Sequence, residues 1–121
     1  MTNLVQVTSA NFEKTISDND IVVLDFWAQW CQPCLAFAPI FEGLAKQHLD
    51  VVFGKVNVEE EEILANEFAI RSIPTLMIFR QKIMLCNEAG VLPAAAIDDL
   101  LKQAKALDMQ EVLAKLKEQG V

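Results

Sequence analysis

Two cysteines, Cys31 and Cys34, stand three residues apart in the stretch FWAQWCQPCLAFAPIF (residues 26–41), with only Gln32 and Pro33 between them. An apolar run ends just before them. From Cys34 onward the apolar spacing is helical, with Phe37, Phe41, Leu44 and Ala45 on one side. Residues i and i+3 of a helix share a face with Cβ atoms about 5–6 Å apart, close to the reach of a disulfide. The pair can therefore open and close with little movement of the chain.

Its place at the start of a helix adds electrostatics, because the first cysteine lies beside unpaired amides and the positive end of the helix dipole. Lowering a thiol pKa from about 8.5 to about 7, as in known reactive dithiols, takes roughly 2 kcal/mol. A helix terminus typically supplies about 0.3–1 kcal/mol, and up to about 2 in good geometry. Hydrogen bonds from a backbone amide and from the Cys34 thiol must supply the remainder. Cys31 is thus read as the exposed nucleophile, and Cys34, one turn inward, as the resolving thiol.

Two other chemistries compete for these residues. A tetrahedral zinc site needs about four ligands. This chain offers Cys31, Cys34, Cys86 and His48, the last at the far end of the same helix, so no metal is expected. Two inert core thiols are the other option, for which Trp30 and Pro33 are odd companions.

The elements that would position the pair follow from periodicity. Leu4–Val7 reads as a short strand, Thr8 or Ser9 as a cap, and Asn11–Ile16 as a short helix. IVVLDFWA (21–28) is almost continuously apolar, which suits a strand covered on both faces. The next helix contains Pro39, where a kink is expected. Val51–Val58 is a second buried strand, and strand, helix, strand in this order implies a right-handed parallel crossover. Glu61–Phe68 reads as a short helix, entered through the acidic run Glu59–Glu62. Thr75–Phe79 and Lys82–Asn87 then form an antiparallel pair joined by Arg80-Gln81. Pro93 opens a helix to about Leu107 with Ile97, Leu100, Leu101 and Ala104 as its stripe. Asp108 and Glu111 form a capping-box-like pair before a last helix with Met109, Val112, Leu113 and Leu116 on one face. The expected class is α/β, a central mixed β-sheet (βαβαβ, then α, β-hairpin, α) with helices on both faces and a short C-terminal helical extension.

Composition narrows the partners. A net charge of −7 with a single histidine argues against a nucleic-acid partner, since those binders concentrate Lys and Arg on one face. No segment approaches the roughly 18 apolar residues of a membrane span, and the N-terminus, MTNLVQVTSANF, lacks a secretory pattern. Three cysteines are too few and odd in number for a disulfide-stapled secreted scaffold. A reducing, cytoplasmic setting is therefore expected.

Taken together, DFWAQWCQPC (25–34), Pro39, KVNV (55–58), FAIRSIPTLMIF (68–79) and Gly90 match in order and spacing the pattern of a known family: from Val5 to Leu107 the chain resembles thioredoxins. The resemblance implies the thioredoxin fold over residues 1–107, with 108–121 as an extension. It implies reduction of protein disulfides through Cys31 and Cys34 with no bound cofactor beyond that redox-active disulfide, and recharging by an NADPH-dependent flavoprotein thioredoxin reductase. Asp25 already stands out inside an apolar strand, where desolvation should raise its pKa. In the family the matching Asp lies behind the second cysteine and helps to deprotonate it, and Lys55 matches the lysine that neighbours it. The resemblance further implies a cis Ile73–Pro74 bond beside the disulfide, with Ile73 backbone groups pairing with an extended substrate segment. Trp30, Ile73, Gly90 and Val91 would then form an apolar docking rim, and Trp27 core packing.

The chain departs from the commonest pattern at several positions. Gln32 stands where glycine is usual, and together with Pro33 it influences the poise of the couple. Leu35 replaces a common lysine, Arg71-Ser72 precede Ile73 where glycine is frequent, and Arg80-Gln81-Lys82 lacks the usual Asn-Gly turn. Cys86 reads as a strand residue without a redox role. Two functional alternatives stay open: an oxidase or isomerase of an oxidising compartment, and an interaction or chaperone-type module docking through its C-terminal helix.

Overall fold

Strand β2 (Ile21–Trp27) is the axis of the molecule. In this computed structural model, which describes residues 3–120, it lies at the centre of a five-stranded mixed sheet. The elements in chain order are β1 (Leu4–Gln6), α1 (Phe12–Asp18), β2, α2 (Gln32–Gln47), β3 (Val52–Asn57), α3 (Glu62–Glu67), β4 (Thr75–Arg80), β5 (Ile83–Ala89), α4 (Ala94–Ala106) and α5 (Met109–Glu118). Strand order is β1-β3-β2-β4-β5, with β1, β3 and β2 parallel and β4 and β5 antiparallel. The sequence-derived order of elements holds throughout. Residues 1, 2 and 121, the ends of the 1–107 and 108–121 ranges, lie outside the described residues.

Strand alternation divides the core in two. Ile21 and Val23 of β2 face the side covered by α2 and α4, packing with Phe37, Phe41, Phe53, Ile78, Ile97 and Leu101. Val22, Leu24 and Phe26 face the side covered by α1 and α3, packing with Ile16, Leu64, Met77 and Phe79. Both faces are apolar, which explains why β2 reads as an unbroken apolar run. Burying each such side chain contributes about 1.5–3 kcal/mol. The two layers thus clamp β2, and with it Asp25, in place. Gly54 in β3 is required by this packing: a Cβ there would stand 2.5 Å from Val7 Cγ2 and 2.9 Å from Leu24 Cδ2.

Several local expectations are corrected. The residue capping α1 is Asn11, not Thr8 or Ser9, and its side chain bonds the preceding turn by accepting from Thr8 N at 2.8 Å. Pro93 caps α4 rather than lying in its first turn. Asp108 Oδ1 accepts from the amides of Gln110 and Glu111, but Glu111 pairs with Lys115 at 3.6 Å and does not close a capping box. As expected from the apolar period that continues past it, Pro39 does not break its helix, which runs from Gln32 to Gln47. The stripe of α5 divides: Met109 is buried, Val112 and Leu116 are half-buried, and Leu113 is exposed.

The β4–β5 turn lies one residue later than expected, at Gln81-Lys82, and both residues have positive φ, 50° and 71°. That is the backbone of a type I′ hairpin made without glycine or asparagine. Helix α3 ends in a Schellman motif, with Ile70 N donating to Ala65 O and Ala69 N to Asn66 O, and Ala69 takes the left-handed position at φ 52°. Left-handed backbone costs a non-glycine L-residue roughly 1–2 kcal/mol.

Two opposite stability outcomes are expected. Ala69→Gly or Lys82→Gly should raise the thermal midpoint by a few degrees, because relief of the Cβ clash outweighs glycine's added unfolded-state freedom. Gly54→Ala should lower stability by about 1–3 kcal/mol through overpacking. Thermal and urea unfolding check both, and a destabilised Ala69→Gly would contradict the backbone reading.

Candidate functional site

Helix α2 begins at Gln32, so Cys31 is its N-cap residue. Pro33 fits this first turn because an amide there would have no helical partner. The Cys34 amide donates to Cys31 Sγ at 3.2 Å, and the Cys31 amide donates to Ala28 O at 3.2 Å. Cys31 and Cys34 are joined as a disulfide, their Cα atoms 5.2 Å apart. The spacing argument from sequence thus corresponds to a formed bridge at the amide end of a 16-residue helix. One expectation is corrected: Cys31 is not freely exposed. It retains 4% exposure against 1% for Cys34, because Ala28, Val58 and Ile73 pack over the bridge. Cys31 is nevertheless the more accessible sulfur-bearing residue.

The opposite wall is the loop before β4. The Ile73–Pro74 bond is cis, and the Ile73 carbonyl oxygen lies 3.7 Å from Cys31 Sγ. Thr75 Oγ1 donates to Ser72 O at 2.6 Å and Gly90 N donates to Pro74 O at 2.8 Å, tying this loop at both ends. Gly90 has a φ of +96°, open to glycine and unfavourable for side chains bearing Cβ. Beside the bridge, Trp30, Val58, Ala65, Ile70, Ile73 and Arg71 line a groove of about 170 Å³. That is below the roughly 300 Å³ where small-molecule sites begin and suits one or two side chains of a polypeptide. Trp30, adjacent to Cys31 in the chain, is 65% exposed, and Val91, which follows Gly90, is 44% exposed. Gln32 and Pro33 are exposed on the rim.

Asp25 is buried within β2. Its parity on β2 is that of Ile21 and Val23, so its carboxyl faces the α2 side, where the first turn carries Cys34. It is fully buried, and neither carboxyl oxygen has a hydrogen-bond partner. Burial pushes its pKa up from 3.8 to about 7, while the nearby Lys55 charge pulls it down by a smaller amount. Asp25 and Lys55 are register partners across β2 and β3, yet Lys55 Nζ sits 4.6 Å over the centre of the Trp27 ring. That stacking was missed from sequence, where Trp27 reads as core. A pair of lysine and tryptophan on adjacent parallel strands, two residues out of step, is the only sequence signal for it.

The remaining candidates lie elsewhere. His48 closes the far end of α2, with Nε2 2.7 Å from Asp98 and Nδ1 3.1 Å from Lys105 Nζ. Cys86 on β5 pairs across to Ile78 of β4 and is a free, half-buried thiol whose pKa burial raises, with the Glu88 charge adding to it. Among the described residues no group of three or more His, Cys, Asp or Glu is arranged to hold a metal ion, and no helix is long and apolar enough to cross a membrane.

A mixed α/β sheet that presents a disulfide spanning two intervening residues at a helix N-terminus, opposite a cis-proline loop, defines a thiol–disulfide oxidoreductase. Comparison with known proteins narrows the class. Residues 3–103 match the Thioredoxin family model. The chain is 47% identical over 119 residues to a Streptomyces coelicolor protein with a thioredoxin name, covering 98% of this chain and 89% of that one. It is 38% identical to thioredoxin 1 of a Nostoc species, over 85% of this chain and 98% of the relative. Among solved structures, a mutant thioredoxin from Halobacterium salinarum superposes with a TM-score of 0.81 at 32% identity, covering 86% of this chain and 92% of the other. Chloroplastic thioredoxin z gives 0.79 at 31% identity, with 86% and 96% covered. The chain belongs to the thioredoxin family, whose members act on disulfide-containing proteins without a prosthetic group, through a redox-active disulfide. The match to the Streptomyces protein extends over nearly the whole chain, so it takes in residues of α5 that the family model leaves out.

The buried carboxyl has a measurable consequence. Unfolded, Asp25 ionises near 3.8; folded, it holds its proton up to about pH 7. Folding therefore takes up a proton between those values. The associated stability is complete below about pH 4, is lost as pH rises to 7, and stays lost above it. Asp25→Asn should match the wild type near pH 4 and exceed it at pH 8 by on the order of 2–4 kcal/mol. Urea unfolding at the two pH values reads this, and an equal difference at both would contradict it.

Proposed function

We propose that the chain reduces protein disulfides in a fixed order of attack, Cys31 first and Cys34 second. In the reduced protein the Cys31 thiolate attacks one sulfur of a substrate disulfide. A Cys31–substrate bond forms, the substrate S–S bond breaks, and the departing thiolate takes a proton. Cys34 then gives its proton to the Asp25 carboxylate and attacks the Cys31 sulfur. The internal disulfide forms and the second substrate thiol leaves, so the protein is oxidised by two electrons and the substrate reduced by two. The observation that carries this reading is the Cys34 amide aimed at the Cys31 sulfur at the α2 N-terminus, which favours the anion at that sulfur and no other.

The other site residues have assigned parts. The Ile73 backbone, held beside Cys31 by the Pro74 turn, pairs with an extended substrate segment, and Trp30, Gly90 and Val91 supply an apolar rim that excludes water from the exchanging sulfurs. A rim without a charge code suits many flexible disulfide-bearing partners. Lys55 modulates Asp25, and Gln32 and Pro33 tune the redox poise. The oxidised protein is recharged by an NADPH-dependent flavoprotein thioredoxin reductase in the cytoplasm. Residues 1–107 form the redox domain and 108–121 an extension, a division supported by the family match ending at residue 103.

Insulin reduction coupled to NADPH through a purified thioredoxin reductase tests the scheme. Cys31→Ser should fall to the background rate. Cys34→Ser should stop after the first attack and accumulate a mixed disulfide with its substrate, visible by mass spectrometry and released by dithiothreitol. A wild-type rate no better than that of Cys31→Ser would remove the proposal.

A further inference from the structure

Asp25 and Lys55 are register partners on adjacent parallel strands, at 0% and 9% exposure. Opposite charges buried so close together are ordinarily paired, because each is costly to leave alone. Here they are not. Both Asp25 oxygens lack a hydrogen-bond partner, and the ion pairs of the described residues do not include Lys55. The Lys55 ammonium is instead held against the face of Trp27, 4.6 Å from its centre. Trp27 is two residues from Asp25 on the same strand, so both side chains leave the same face of the sheet.

We propose that Trp27 is a positioning residue of the redox centre: its ring holds the Lys55 ammonium out of hydrogen-bonding reach of Asp25, leaving the carboxyl unpartnered for proton exchange with Cys34. This rests on the reading of Asp25 as the acceptor of the Cys34 proton. The chemistry favours a ring over a second carboxylate or a backbone carbonyl. An indole face attracts a cation without adding a negative charge beside Asp25 and without leaving a carbonyl unpaired when the lysine moves. Were the ring absent, the four-carbon stem would let the ammonium close on the carboxylate, which would then hold its charge and accept protons poorly. The charged group acting on Asp25 is Lys55 from β3, and Cys34 stands in the first turn of α2, the helix that covers this side of β2. The residues packed on this face from β4 and α4, Leu76, Ile78, Ile97 and Leu101, do not titrate.

The test is the titration of the Asp25 carboxyl, followed by carbon-13 NMR in the full reduced chain, for the wild type, Trp27→Leu, Lys55→Met and the double variant. The midpoint in Trp27→Leu should fall by about one pH unit or more, a tenfold loss of proton affinity, and most of that fall should vanish in the Lys55→Met background. The acid limb of the insulin-reduction profile should move with it. An unmoved midpoint, or the same fall in both backgrounds as from water admitted by the smaller side chain, would overturn the proposal. A readout that needs no variant is the Lys55 Cε proton shift in the wild type, which the indole ring current should carry upfield and which an ordinary position would refute. Asp25→Asn reducing insulin at the wild-type rate would remove the proton-acceptor role of Asp25, whereas the NMR cycle decides the role of Trp27 separately.

Discussion

The amide of Cys34 points at the sulfur of Cys31 across 3.2 Å, and that hydrogen bond exists because α2 begins at the residue after Cys31. A helix start leaves several amides without partners, and a thiolate at the cap position satisfies one while meeting the positive end of the dipole. The same first turn brings Cys34 onto the same side, near enough to bridge. Nucleophile, activation and resolving partner thus come from a single turn of backbone. The rest of the molecule keeps that turn rigid and decides what can reach it.

Rigidity comes from burying α2 along one stripe, Phe37, Phe41, Leu44 and Ala45, against the sheet and α4. At its far end His48 is fastened to Asp98 and Lys105 of α4, and Arg80 donates to the carbonyls of Ala104 and Leu107, closing the C-terminus of that helix. Access is set by the loop before β4. Its carbonyl at Ile73 and the bonds from Thr75 and Gly90 leave a backbone edge and a side-chain-sized groove next to the bridge. On the α2 side of β2 lies the buried carboxyl of Asp25, a destabilising choice in a strand otherwise apolar, tolerated because two packed layers hold β2 from both sides.

Much of this was legible in advance. The order of strands and helices, the parallel crossover and the hairpin follow from periodicity, since β2, β3 and β4 are covered on both faces and read as apolar runs. The bridge itself was legible from i, i+3 spacing. What failed were features decided by backbone dihedrals or by neighbours distant in sequence. Gln81-Lys82 and Ala69 occupy left-handed positions that their types do not advertise. The Thr8–Asn11 turn displaced the expected cap because Asn11 bonds backward instead of into the helix. Cys31 is more covered than a nucleophile at a helix start suggests, because Ile73, over forty residues away, packs on it.

The sequence by itself determined the chemistry available: two thiols at a spacing that can bridge, at the junction of an apolar run and a helical stripe, with one carboxyl among apolar residues. Local composition suffices for this, because dihedral propensity, capping and side-chain period act over a few residues. Only the tertiary structure decided where the charges went. Whether Lys55 meets Asp25 or Trp27 depends on strand register and on the face each side chain takes, and burial strengthens either contact by excluding water. Long-range packing also selected which carbonyl stands beside the sulfur. Electrostatics in a dry interior depend on distances between strands, which spacing along the chain does not encode.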